Sequence, residues 1–280
     1  MTLDLIAAIA TRIAVPLLIA AAWYRRRSWS NRWEQPITLH LILLAIGLGA
    51  ATHLVSIEGP LTDYIYGHCL DTYIGDVATL FGFAVLASTM LTRISTDDDD
   101  AQQLVNKLVA PFVTLAPALM LAATIVSAPS PAGRPAALFP ATDGWLEVTD
   151  AWQAAYWCIF YVSGGTLAAI TAWAARIITT DPRSRFGARL WLFAMRCAAL
   201  ACLMGVVNTV TDVNVSWLVW MLSALVSITA AAAGYLSWRR RMQPFRRLLE
   251  FTRTTRCERR TFNTSTPHRN REGDEPAPAL

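Results

Sequence analysis

The chain has 280 residues, of which 54% are hydrophobic and 16% charged, with a formal net charge of +4. That composition is too polarised for an ordinary soluble domain. The positive charge lies beside apolar runs, so anionic lipid is a simpler counterpart than nucleic acid.

Seven long apolar stretches follow one another. The first, about residues 3–24, contains Arg12 and Pro16. Its cluster Arg25, Arg26 and Arg27 comes after the apolar run, the reverse of a cleaved signal peptide. A basic loop, 25–36, carries Trp29 and Trp33. The second stretch, about 37–55, includes the small-residue run Gly47-Leu48-Gly49-Ala50-Ala51, which lets a neighbouring helix approach closely. An acidic loop with Glu58, Asp63 and Asp71 leads to the third, about 72–91, with Asp76 one turn inside.

Arg93 and the run Asp97 to Asp100 precede the fourth stretch, about 104–126, which Pro111 and Pro117 should kink. The four Asp residues follow Thr96 and suit a helix N-terminus. The segment 128–144 holds Pro129, Pro131, Pro135 and Pro140 and is expected to be an extended loop. The fifth stretch is about 152–175, with Gly164 and Gly165 at mid-depth, followed by a basic loop, 176–189. The sixth is about 190–210, and a turn containing Asp212 and Asn214 leads to the seventh, about 217–236.

If these stretches span alternately, 21 of the 24 Lys and Arg residues fall on one side, with Lys107 counted at the inner start of the fourth span, because only Arg134 is in a loop opposite and only Arg12 and Arg196 lie deeper within spans. Short basic loops stay cytoplasmic. The expected fold is therefore an all-α polytopic bundle of seven transmembrane helices, N-terminus outside and C-terminus inside. Trp23, Trp173, Trp191 and Trp238 are expected in the inner interfacial belt, and Trp145, Trp152 and Trp217 in the outer one. Three units follow: a seven-helix domain over 1–238, a basic amphipathic helix over 239–251 and a disordered tail over 252–280.

Charged residues within spans are the functional candidates. Arg12 lies near the bilayer centre, with Asp76 its nearest partner by depth, so the two form a candidate intramembrane polar site. Arg196 lies two turns inside the sixth span on the same face as Arg189, and snorkelling to the headgroups accounts for it. Arg239, Arg240, Arg241, Arg246 and Arg247 form a candidate patch for anionic inner-leaflet lipids.

No cofactor is expected. His40 and His53 sit at opposite ends of one span and cannot face each other across a haem. The single Lys, Lys107, is not in the seventh span, which leaves no Schiff-base residue for retinal. His53, His68, Asp63, Asp71 and Asp76 gather toward the outer side, but their spacing fits no metal motif. Cys158, Cys197 and Cys202 lie in spans, Cys257 in the tail and Cys69 in a loop, an arrangement that predicts no structural disulfide. No nucleophile elbow or phosphate loop is present, so no catalytic residue is assigned.

The run Arg239-Arg240-Arg241-Met242-Gln243-Pro244-Phe245-Arg246-Arg247-Leu248-Leu249, together with the seven-span plan, resembles a group of actinobacterial membrane proteins of uncharacterised function that are often labelled transporters. In that group a basic segment after the seventh span leads into a cytoplasmic domain. The resemblance implies a seven-span bundle, with only about thirty residues after the junction in place of that domain. The expected function is a non-enzymatic sensor, scaffold or interaction protein with a partner at the inner tail. The alternative is a permease for a small ion or polar solute that uses Arg12 and Asp76.

Overall fold

The computed structural model describes residues 3–26, 29, 34–51, 70–126, 151–182, 184–211 and 213–265. Among them the regular structure is helical throughout: α1 Leu3–Tyr24, α2 Gln35–Ala51, α3 Leu70–Ile94, α4 Asp98–Leu108, α5 Ala110–Val126, α6 Ala151–Ile178, α7 Arg185–Val210 and α8 Ser216–Ser265. Several expected features lie outside the described residues. They are the loop 52–69 with His53, Asp63, His68 and Cys69, the proline-rich stretch 127–150 with Arg134 and Trp145, Arg27, Trp33, Asp212 and the end of the tail, 266–280.

Among the described residues, six segments are long and apolar enough to cross a membrane: 5–24, 72–94, 98–126, 151–178, 185–210 and 216–240. The chain is therefore a multi-pass membrane protein whose described regular structure is all helical. The described part of α2, 17 residues, is apolar throughout and covers about 25 Å of helix rise, and the rest of the second apolar stretch, 52–55, lies outside the described residues.

The fourth stretch is one apolar segment, 98–126, interrupted at Val109 between α4 and α5. Pro111 has no N–H to donate and restricts the residue before it, and the ladder re-forms around Val109. The Val109 N–H reaches the Val105 carbonyl at 2.9 Å, while the Phe112 and Val113 N–H groups return to the Val109 carbonyl at 3.1 and 3.3 Å. Pro117, by contrast, stays within α5. At the start of α4, Asp97 is the N-cap and its carboxylate accepts from the Asp100 N–H at 2.7 Å, while Asp100 accepts from the Thr96 N–H at 3.2 Å. The Asp run thus satisfies helix-terminal donors and meets the helix dipole.

The chain divides into two compact units, Met1–Ser237 and Trp238–Leu280. In the first, α1 packs on α2, α2 on α3, α3 on α6, and α6 on both α5 and α7. Its centre is filled by Leu41, Leu80, Met90, Leu167 and Met195. Lipid offers no hydrophobic contrast to such residues, so close packing holds membrane helices together. Glycines provide it here. A Cβ on Gly47 would strike the Thr79 side chain and lie 2.8 Å from the Gly75 carbonyl, and one on Gly75 would lie 2.8 Å from Ala50 Cβ. The small-residue run in α2 thus meets α3 backbone to backbone. In the second unit the described backbone is helical to Ser265, which covers 239–251 and the first part of the segment expected from composition to be disordered.

Of the tryptophans, Trp23, Trp152 and Trp173 are exposed, as interfacial rings should be. Trp191 and Trp238 are buried instead, Trp191 in the core on the α7 face that also carries Ala188, Met195 and Ala198. The Trp191 ring meets His40 edge-on, 5.4 Å between centroids.

Candidate functional site

Asp76 is buried on α3, about 9 Å along the helix from its start. Its Oδ2 accepts a hydrogen bond from the Tyr156 hydroxyl of α6 at 2.8 Å. A buried carboxylate costs several kcal/mol unless it is paired and hydrogen-bonded, and this bond from α6 supplies part of the compensation. Tyr156 opens an aromatic run along the same helix. Trp157 lies edge-on to Tyr156 at 5.2 Å and nearly parallel to Tyr161 at 5.7 Å. The Tyr161 ring in turn lies where a side chain on Gly205 of α7 would be. Nearby, the Tyr73 hydroxyl donates to the Pro117 carbonyl at 3.2 Å, which joins α3 to α5.

Arg12 is half-buried on α1, about 13 Å from the start of that helix. Pro16 stands one turn further on and has no N–H to give to the Arg12 carbonyl. α1 packs on α2 and α2 on α3. Tyr156, absent from the sequence reading, is a partner of Asp76. Nothing in the sequence around Tyr156 marks it, because the two positions are 80 residues apart.

The most elaborate polar junction lies at the other end of the bundle. Arg25, read from sequence as one of three loop cations, is fully buried. Its Nη2 forms an ion pair with Glu34 Oε2 at 2.6 Å and also approaches the Glu34 carbonyl at 3.3 Å. Nε donates to the Thr38 hydroxyl of α2 at 3.2 Å. Nη1 donates to the Gly234 carbonyl at 2.7 Å and to the Ser237 hydroxyl at 3.3 Å, both on α8. One guanidinium therefore joins the end of α1, the start of α2 and α8. The rigid fork of an Arg suits such multidentate use, where a Lys would not. The available signal was Glu34, the sole acidic residue in the basic stretch 25–36.

His40 is also fully buried, with Nδ1 2.7 Å from the Gly82 carbonyl. A carbonyl can only accept, so Nδ1 carries the proton and Nε2 presents its lone pair to the interior.

Against protein-family models, curated proteins and solved structures, the chain matches none. The site therefore stands on its own geometry. Within the basic patch, Arg239 and Arg240 are exposed, and the side chains of Arg241, Arg246 and Arg247 lie outside the described residues, as does that of Asp71.

Proposed function

We propose that this chain is a non-enzymatic membrane sensor or interaction scaffold whose bundle holds the end of its last span in a defined place. Seven spans, an outside N-terminus and a basic cytoplasmic side in a bacterial plasma membrane complete the proposal, supported by 21 of 24 basic residues falling on one side. The observation that carries it is the Arg25 junction. A buried ion pair fixes Gly234 and Ser237 of α8 to α1 and α2, immediately before the sequence turns basic at Arg239. A helix fixed at that point can report a change in the bundle to whatever binds the basic segment. The resemblance to actinobacterial seven-span proteins, in which a cytoplasmic domain follows this point, agrees with that use.

The test is co-purification from native membranes. One reproducible partner should be recovered with the full chain and with Asp76→Asn, and lost when Arg239, Arg240, Arg241, Arg246 and Arg247 are replaced by Gln. Recovery that ignores those five residues, or no partner at all, ends the scaffold reading.

The buried Asp76 bonded to Tyr156 supports a second reading, a permease for a small ion or polar solute with Arg12 and Asp76 on its path. Uptake into vesicles that disappears in Asp76→Asn while the protein stays folded would favour it. Uptake indifferent to Asp76 would remove it.

A further inference from the structure

The outward face of α7 carries a feature that the bundle does not use. Arg189, Phe193, Arg196, Leu200 and Leu203 recur at helical spacing and are all exposed, the last two at 45% and 56%. The opposite face of α7 holds the buried Trp191, Met195 and Ala198. The exposed stripe is therefore the one that faces lipid. Neither Arg189 nor Arg196 has a hydrogen bond or ion pair with another of the described residues. Arg196 lies about 16 Å along α7 from Arg185 and about 9 Å past Leu190, where the apolar run begins. Such a position is unfavourable for a lone cation in hydrocarbon.

We infer that Arg189 and Arg196 form a binding site for the phosphate of an anionic phospholipid, on the face of α7 and in the leaflet at its N-terminal end. Three physical points converge on that ligand. Cα–Cβ bonds in a helix tilt toward the N-terminus, so the Arg196 side chain runs back toward Arg189 and the headgroups. The two residues are separated by about 10 Å of helix rise, which puts one guanidinium at headgroup level and the other below it, with a phosphate able to sit between them. Guanidinium groups bind phosphate oxygens bidentately. On the same stripe Phe193 lies between the two Arg residues and Leu200 and Leu203 lie below them, where the acyl chains of the bound lipid would run. Arg176 and Arg185 are exposed at the same end of the bundle, adding to the field that favours an anionic headgroup. The inference needs the membrane-spanning character of α7 and no choice between scaffold and permease.

The experiment uses the full chain in mild detergent with an equimolar mixture of phosphatidylglycerol and phosphatidylcholine of identical chains. Retained lipids are counted by native mass spectrometry. The intact protein should hold an excess of phosphatidylglycerol, and Arg196→Leu should reduce that excess about fivefold, the effect expected for one Arg near the surface. Arg189→Leu/Arg196→Leu should reduce it further, and Arg196→Lys should keep most of it. Phe193→p-benzoylphenylalanine locates the site: irradiation in the same mixture should yield a phosphatidylglycerol adduct. An anionic excess unchanged in the double variant overturns the proposal. So does a photoadduct to a second copy of the chain or to another protein, which would make this stripe a protein interface instead.

Discussion

Removing Arg25 should be among the most damaging single changes in the bundle, and the damage should be reversible by a second substitution. In Arg25→Met the apolar part of the side chain is kept and the guanidinium is lost. Glu34, whose side chain is 5% exposed, then loses the cation that lies 2.6 Å away. Breaking a buried ion pair from one side costs about 3–5 kcal/mol, because the remaining charge is left in a poor environment. The Gly234 carbonyl and the Thr38 and Ser237 hydroxyls lose a donor as well. Replacing both charges by apolar groups often costs little, so Arg25→Met/Glu34→Leu should recover most of the loss. The assay is reversible unfolding in mixed micelles with a double-mutant cycle, and Arg26→Met is the control. Arg26 is exposed and lies over the Trp23 ring at 4.5 Å; its loss should cost no more than about 1 kcal/mol. If Arg25→Met unfolds no more easily than Arg26→Met, or if the double variant is worse than the sum of its parts, the junction does not work as described.

Three other outcomes follow from the packing. Gly47→Val should separate α2 from α3 and cost about 1–3 kcal/mol, whereas Gly187→Ala, with nothing within 4 Å of the added Cβ, should be neutral or stabilise α7 by up to about 1 kcal/mol; equal effects in thermal unfolding would contradict the close approach. Tyr156→Phe removes the donor to Asp76 and should cost about 1–3 kcal/mol in thermal unfolding; a melt equal to the parent's would show that Tyr156 matters little to the carboxylate. Asp97→Ala removes the cap on the Asp100 N–H and should cost about 1 kcal/mol, read as loss of amide exchange protection in the first turn of α4 rather than throughout the chain.

Helix positions were legible in the sequence because they depend on local composition. The first apolar run coincides with α1, and the third and sixth lie inside α3 and α7. The residues that end them, among them Asp97 and Pro111, act on their own neighbourhood. Facing was less legible. Membrane helices are apolar on nearly every side, so periodicity gives little indication of which face is buried. Trp191 therefore read as an interfacial ring, although a contact with His40, 151 positions earlier in the chain, puts it in the core. Arg25 read as a loop cation for the same reason, since its burial depends on residues 209 and 212 positions away. The close approach of α2 and α3 was foreseeable from Gly47, because the absence of a side chain is a local property with a steric consequence. Asp76 was recognised by its charge, while Tyr156 could be found only in three dimensions.

The Arg25 junction also sets an order of events during biosynthesis. Glu34 is nine residues downstream of Arg25, but Gly234 is 209 residues downstream. At about 5–20 residues per second, the ribosome needs roughly 10–40 s to add that length of chain. Throughout that interval the first two helices can pair their charges with each other, while the Arg25 Nη1 group still lacks the carbonyl it will bind. A nascent chain halted before α8 would carry this half-satisfied cation at the membrane, accessible to water, lipid headgroups and quality-control proteases. Arrival of α8 closes it, so a helix made some 200 residues later completes a junction that α1 and α2 begin.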